Sequence, residues 1–190
     1  SSFGTPSIDF HHTGDGKSIA GSAPHLYVSG RNNANLFYRK MTYSGGSYSA
    51  GGLRTIDSAT TKNVGVQSLI YDGTRSVVAW GEGAIVEVAE RDESDTTTTT
   101  RTPTALSDGT VTNVSVSYDA DQNIHLWASG TTSDDLKRIV YTRSAGTWDA
   151  AWTTVFTGTL VETSLTLKRG YTGGSLDAVF LDGASSPYDV

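Results

Sequence analysis

At 190 residues the chain is long enough to bury a core of its own, and it carries 14 Lys and Arg against 20 Asp and Glu, for a net charge of −6. With a pI near 5.0 and no Lys/Arg cluster, it would repel a nucleic-acid backbone or an anionic membrane at long range. Cysteine is absent, which excludes a disulfide framework, and no apolar run approaches the roughly 20 residues that span a bilayer.

The chain repeats itself. His25 to Tyr48 matches His125 to Trp148 at an offset of 100 residues without a gap: His25, Leu26, Ser29, Gly30, Leu36, Thr42, Ser44 and Gly46 each meet the same residue type again. A third copy lies between them at an offset of 47, aligning Tyr71, Asp72 and Trp80 with Tyr118, Asp119 and Trp127. The large aromatics Tyr27, Trp80, Trp127 and Phe180 then follow one another at 53, 47 and 53 residues, a period of about fifty.

In chain order the first unit runs from about 6 to 58 and the second from 64 to 106. In the second, Asp92-Glu-Ser-Asp95 precedes the threonine run Thr96 to Thr100. Threonine forms strands well and asks for no core, so an exposed outer strand is the expectation there, ahead of a flexible or O-glycosylated linker. The third unit, 111 to 158, is the clearest. Val114, Val116 and Tyr118 alternate with serines, Asp119 to Asn123 makes a polar turn, and Ile124, Leu126 and Ala128 alternate in the return strand. Leu136 to Arg143 and Trp152 to Thr157 supply two more strands after Gly- and Asp-rich turns. The fourth unit, from 161, offers strands near Thr163 to Lys168 and Ser175 to Leu181 and reaches Tyr188-Asp-Val190 where a third should begin.

Four strands repeated at this period are the blade of a β-propeller, because a small sheet covers both of its faces only by stacking on its neighbours. The expected fold is therefore all-β: one domain over 1–190, a β-propeller of four-stranded antiparallel blades with three and a half to four of them in this chain. The expected whole is a larger propeller of about six or seven blades or a multi-chain ring. A closed four-bladed ring requires Ser1 to Phe10 to fill the fourth unit. The start at Ser1 without an initiator methionine or signal-peptide pattern suggests a processed or trimmed chain.

Ser44-Gly-Gly-Ser-Tyr48 and Ser144-Ala-Gly-Thr-Trp148, each preceded by a Tyr and an Arg in Leu36-Phe-Tyr-Arg39 and Ile139-Val-Tyr-Thr-Arg143, resemble the Asp-box, or bacterial-neuraminidase repeat, of sialidase-like propellers. The family's Asp is missing from both copies. The resemblance implies a propeller of a superfamily that holds sialidases, polysaccharide lyases, lectin-like modules and viral or surface proteins. It makes Tyr48, Trp148, Arg143 and Tyr141 candidate binding residues. The sialidase roles of an arginine triad, an acid/base Asp and a Tyr with a Glu partner do not map: no Arg-Ile-Pro motif opens the chain, and Glu is confined to 82, 87, 90, 93 and 162.

The lyases of that superfamily use His, Tyr and Arg, which makes His11, His12, Tyr38 and Arg39 the candidate catalytic set: a base for the proton beside a uronate carboxylate and a guanidinium to neutralise it. Adjacent His11 and His12 on one strand face opposite ways and do not share a metal. His25 and His125 recur at equivalent positions, as do the four aromatics, which favours packing over chemistry. Asp119-Ala-Asp-Gln-Asn123 carries part of a calcium-loop pattern without its glycine or distal glutamate, and Asx-rich turns produce the same spacing. Asn113-Val-Ser115 is a glycosylation triplet that opens a strand. No metal or cofactor is expected. The expectation is an extracellular, virion or cell-surface module that binds carbohydrate or another protein chain. The alternatives are a polysaccharide lyase or glycosidase and a purely structural subunit.

Overall fold

The computed structural model describes residues 7–11, 25–32, 35–52, 54–57, 67–71, 75–92, 97–161, 166–169 and 176–183. Every regular element among them is a strand, and every pairing is antiparallel. No helix is long and apolar enough to cross a membrane.

The first sheet is the meander β1 (Ser7–His11), β2 (His25–Asn32), β3 (Asn35–Ser44) and β4 (Ser47–Ala50), with β5 (Arg54–Asp57) also on β3. The second is β6 (Gln67–Tyr71), β7 (Arg75–Glu82), β8 (Ile85–Asp92) and β9 (Thr98–Thr100). The third repeats the plan of the first: β10 (Val111–Tyr118), β11 (Ile124–Gly130), β12 (Leu136–Thr142), β13 (Thr147–Trp148), and β14 (Thr153–Phe156) on β12. The last is a pair, β15 (Thr166–Arg169) and β16 (Leu176–Val179).

Two expectations change. The first and third sheets hold five strands rather than four, because the outer strand breaks in two where the chain bulges away from its partner. At the break the Gly51 amide bonds to the Lys40 carbonyl at 2.9 Å in one sheet, and in the other Asp149 both donates its amide to Val140 and accepts the Val140 amide on its carboxylate at 3.1 Å. Residues 7–11 pair with β2 inside the first sheet, Ile8 with Val28 and His11 with His25, so that part of the amino-terminal segment does not fill the fourth unit. The expected third strand at Tyr188 to Val190 lies outside the described residues.

The sheets stack face to face, and alternation along each strand sends successive side chains into different cores. Between the second and third sheets lies the largest, with Val77, Ala79, Val86 and Val88 against Val114, Val116, Leu126 and Ile139. The other face of the second sheet puts Val78 and Trp80 against Leu36 of the first. The other face of the third puts Leu136, Trp127 and Phe156 against Ala178 and Phe180 of the fourth, with the two phenyl rings 5.1 Å apart. Trp80, Trp127 and Phe180 are therefore inter-sheet packing residues. The first strands also meet in order, β1 with β6, β6 with β10, and β10 with β15.

This stacking explains why β10 is buried along its whole length although its sequence alternates. Its polar side bonds internally: Asn113 Nδ2 donates to Ser129 Oγ at 2.8 Å, and Thr112 Oγ1 lies 3.1 Å from the same hydroxyl. Asn113 has no exposed surface, so the Asn113-Val-Ser115 triplet is closed to glycosylation in the folded chain. The threonine run behaves as expected, β9 being an exposed outer strand.

Candidate functional site

The carboxylate that matters most is Glu90, near the end of β8 and only 5% exposed. Its Oε1 accepts from Arg101 Nε at 3.1 Å, Arg101 Nη2 at 3.0 Å and Arg143 Nη1 at 3.3 Å, and its Oε2 accepts from Arg143 Nη2 at 2.5 Å. Arg101 follows β9, where its amide still bonds to the Val88 carbonyl. Arg143 follows β12 of the next sheet, held by a bond from its own amide to Asn123 Oδ1 and one from Nε to the Gln122 carbonyl. The Arg143–Glu90 ion pair thus crosses from the second sheet to the third, while the Arg101–Glu90 pair lies within the second sheet.

Two tryptophans fix the segment that carries Arg101. Trp148 Nε1 donates to the Arg101 carbonyl at 3.0 Å, and Trp152 Nε1 to the Thr104 carbonyl at 2.8 Å. Thr102 Oγ1 bonds to Glu87 Oε2, and Leu106 drops into the main core. Tyr141, paired in register with Trp148, packs on its indole edge to face at 5.4 Å and accepts from Arg101 Nη1 at 2.6 Å. Arg101 Cζ lies 4.8 Å from the Tyr141 ring centre and Arg143 Cζ 5.9 Å from that of Tyr118.

Burial on its own pushes the Glu90 carboxyl upward. The hydrogen bond and charge of Arg143, then those of Arg101, outweigh it and hold the group below its ordinary value of 4.5. A carboxylate held ionised by two guanidiniums is not a general acid at neutral pH, and donors already occupy both of its oxygens. Arg101 stands between Tyr141 and Glu90. The chemistry available here is a charge-assisted clamp between sheets.

The structure therefore assembles three of the four candidate binding residues, Tyr141, Arg143 and Trp148, around two that the sequence reading passed over. Glu90 was visible only as one of five glutamates, and nothing in the sequence singled out Arg101. Tyr48 is in β4, in register with Tyr43 of the first sheet. The catalytic candidates are not gathered. His11 stands in the row of His25 and Thr42, while Arg39 stands with Val28 and Ile8, three rows along the ladder and two strands away. That is about 10 Å along the strands and a similar span across them. Tyr38 is one row further, opposite Ser29 and Arg54, and His12 lies outside the described residues.

The Asp119 turn is closed by its own side chain. Oδ1 accepts the amides of Asp121 and Asn123 and Oδ2 accepts from Asn123 Nδ2, each at 2.9 Å, and His125 Nε2 lies 2.9 Å from Oδ2. Burial raises this carboxyl, but the bonds from His125 and Asn123 prevail and lower it. The conformational reading of Asp119 to Asn123 accounts for every one of these contacts. Among the described residues no cluster of three or more His, Cys, Asp or Glu is placed to hold a metal. No protein-family model matches the chain, and no curated protein matches it.

Proposed function

We propose that the chain is a non-catalytic binding module of an extracellular, virion or cell surface, built as successive blades of a β-propeller and contacting glycan or protein through the loops at the sheet ends. One observation carries the reading. Where two neighbouring sheets bring ionisable side chains together, at Glu90, Arg101 and Arg143, they are spent on holding the sheets to each other. The blade reading draws further support from the ordered meeting of first strands and from the faces shared between sheets.

The test pairs a glycan array and defined surface-protein ligands with a turnover assay on polyuronates and sialosides. Binding without turnover is the expected result. Unsaturated uronate or free sialic acid released by wild type, and lost in His11→Ala, would put a polysaccharide-active enzyme in its place; absence of any binding would leave the purely structural subunit.

A further inference from the structure

We propose that the face of the third sheet turned towards the fourth binds a small hydroxycarboxylate, its carboxylate held by the Trp127 indole and the Arg138 guanidinium and its hydroxyl by His125. The site lies on a sheet face and does not depend on what the loops at the sheet ends bind.

The three side chains share that face. Trp127 packs there with Leu136 and Phe156 against Ala178 and Phe180. Arg138 stands opposite Trp127 in the ladder, which sets their Cβ atoms about 5 Å apart, and His125 is two residues back along β11 on the same side, about 7 Å away. Each has a buried nitrogen with no hydrogen-bond partner among the described residues: Trp127 Nε1, Arg138 Nε and His125 Nδ1. A buried polar atom left unpaired is costly, and here three occur side by side. All three residues are nevertheless partly exposed, which leaves a way in for a small ligand.

The missing partner has a definite chemistry. An indole N–H only donates, and so does a guanidinium. None of the ion pairs among the described residues includes Arg138. Nearby carboxylates are otherwise engaged, Asp119 by its own turn, Asp149 by the Val140 amide and Asp182 by the Thr159 amide. The other three tryptophans all donate, Trp148 and Trp152 to main-chain carbonyls and Trp80 to the Glu82 carboxylate at 3.4 Å. Glu82 lies two residues beyond Trp80 on its strand; two beyond Trp127 is Ser129, whose hydroxyl already takes Asn113 Nδ2. Across the ladder Trp80 faces Glu87, whereas Trp127 faces Arg138. The third sheet thus sets an indole N–H beside a cation and supplies no carboxylate to either, so a ligand carboxylate can give one oxygen to each.

His125 asks for something else. Its Nε2 lies 2.9 Å from the Asp119 carboxylate, which only accepts, so Nε2 carries the proton and Nδ1 of the neutral ring is an acceptor. A bare carboxylate gives Nδ1 nothing, whereas a hydroxyl beside the carboxylate donates to it.

Calorimetric titration of the full chain with acetate, lactate and glucuronate, and with glucose as the uncharged control, tests this. Lactate or glucuronate should bind, acetate about tenfold more weakly for want of the hydroxyl, and glucose not at all. Glucuronate binding well above lactate would identify an acidic sugar, and equal affinities a simple hydroxy acid. Trp127→Phe keeps a ring beside Phe156 and Phe180 but removes the N–H, and should weaken binding about tenfold; Arg138→Gln should weaken it about thirtyfold. If Arg138→Gln does not fold, Trp127→Phe still decides. Three results would overturn the proposal: no binding of either hydroxy acid by wild type, acetate bound as well as both of them, or affinity unchanged in the folded variants, which marks an adventitious ion only. Neither substitution touches the sheet-end loops, so failure here is separable from failure of the binding-module reading.

Discussion

Arg143 Nη2 lies 2.5 Å from Glu90 Oε2, joining residues 53 apart in the chain and on different sheets. Glu90 is 6% exposed at its side chain, and its two partners Arg101 and Arg143 are 24% and 20% exposed. Water screens this pair far less than a surface pair, so loss of the carboxylate strands two partly buried guanidiniums.

Glu90→Gln is therefore expected to cost about 3 kcal/mol of stability. In a double-mutant cycle, Glu90→Ala with Arg143→Ala should recover part of the sum of the single losses, because the double variant leaves Arg101 alone without its partner where Glu90→Ala leaves both guanidiniums. Urea denaturation measures both, and strictly additive losses would show that the two residues do not act together.

The same carboxylate makes stability depend on pH with a definite sign. Its folded pKa lies below the ordinary 4.5, so folding releases its proton more readily and the contribution is fully present above that value. It is lost as pH falls through the folded pKa. The stability gap between wild type and Glu90→Gln should be constant from pH 7 to about 5 and close progressively below 4.5. A gap that widens on acidification would contradict the assignment.

Gly130 has a steric role that Gly83 does not. A Cβ on Gly130 would lie 2.1 Å from the Asp108 carbonyl oxygen, where Asp108 also ties down the Ser133 amide at 3.0 Å. Gly83 sits at φ +58° with nothing within 4 Å. Gly130→Ala should destabilise by about 3 kcal/mol through overpacking, and Gly83→Ala by only about 1 kcal/mol through backbone strain. Thermal unfolding of the two variants side by side checks the ranking.

Asp119→Ala removes a carboxylate that accepts from Asp121, Asn123 and His125 at once, and should cost about 2 kcal/mol. Because those contacts already occupy the group, added calcium should leave the Tm of wild type unchanged. A calcium-dependent rise that disappears in Asp119→Ala would restore the metal reading.

Local alternation was enough to read the strands. Val114 to Tyr118, the Asp119 to Asn123 turn and Ile124 to Ala128 form the hairpin they were expected to form, with Tyr118 opposite Ile124 and Val116 opposite Leu126. Turn chemistry and a period of two are properties of neighbouring residues, so they survive in one dimension. The sequence also separated the packing aromatics, because Trp80 and Trp127 recur with the unit.

Two things depended on the stacking of sheets. The polar face of β10 gave no sign that it would be buried, since Ser115 and Ser117 look solvated until another sheet covers them. Nor did any spacing bring Glu90 to Arg101 and Arg143, or keep His11 from Arg39. Amino-acid order by itself determined the antiparallel strands, their turns and the fifty-residue unit. Which charged residues meet was decided only in the tertiary structure, where the face-to-face packing of Val77, Val88, Leu126 and Ile139 sets the sheets' relative position and the ion pairs follow from it.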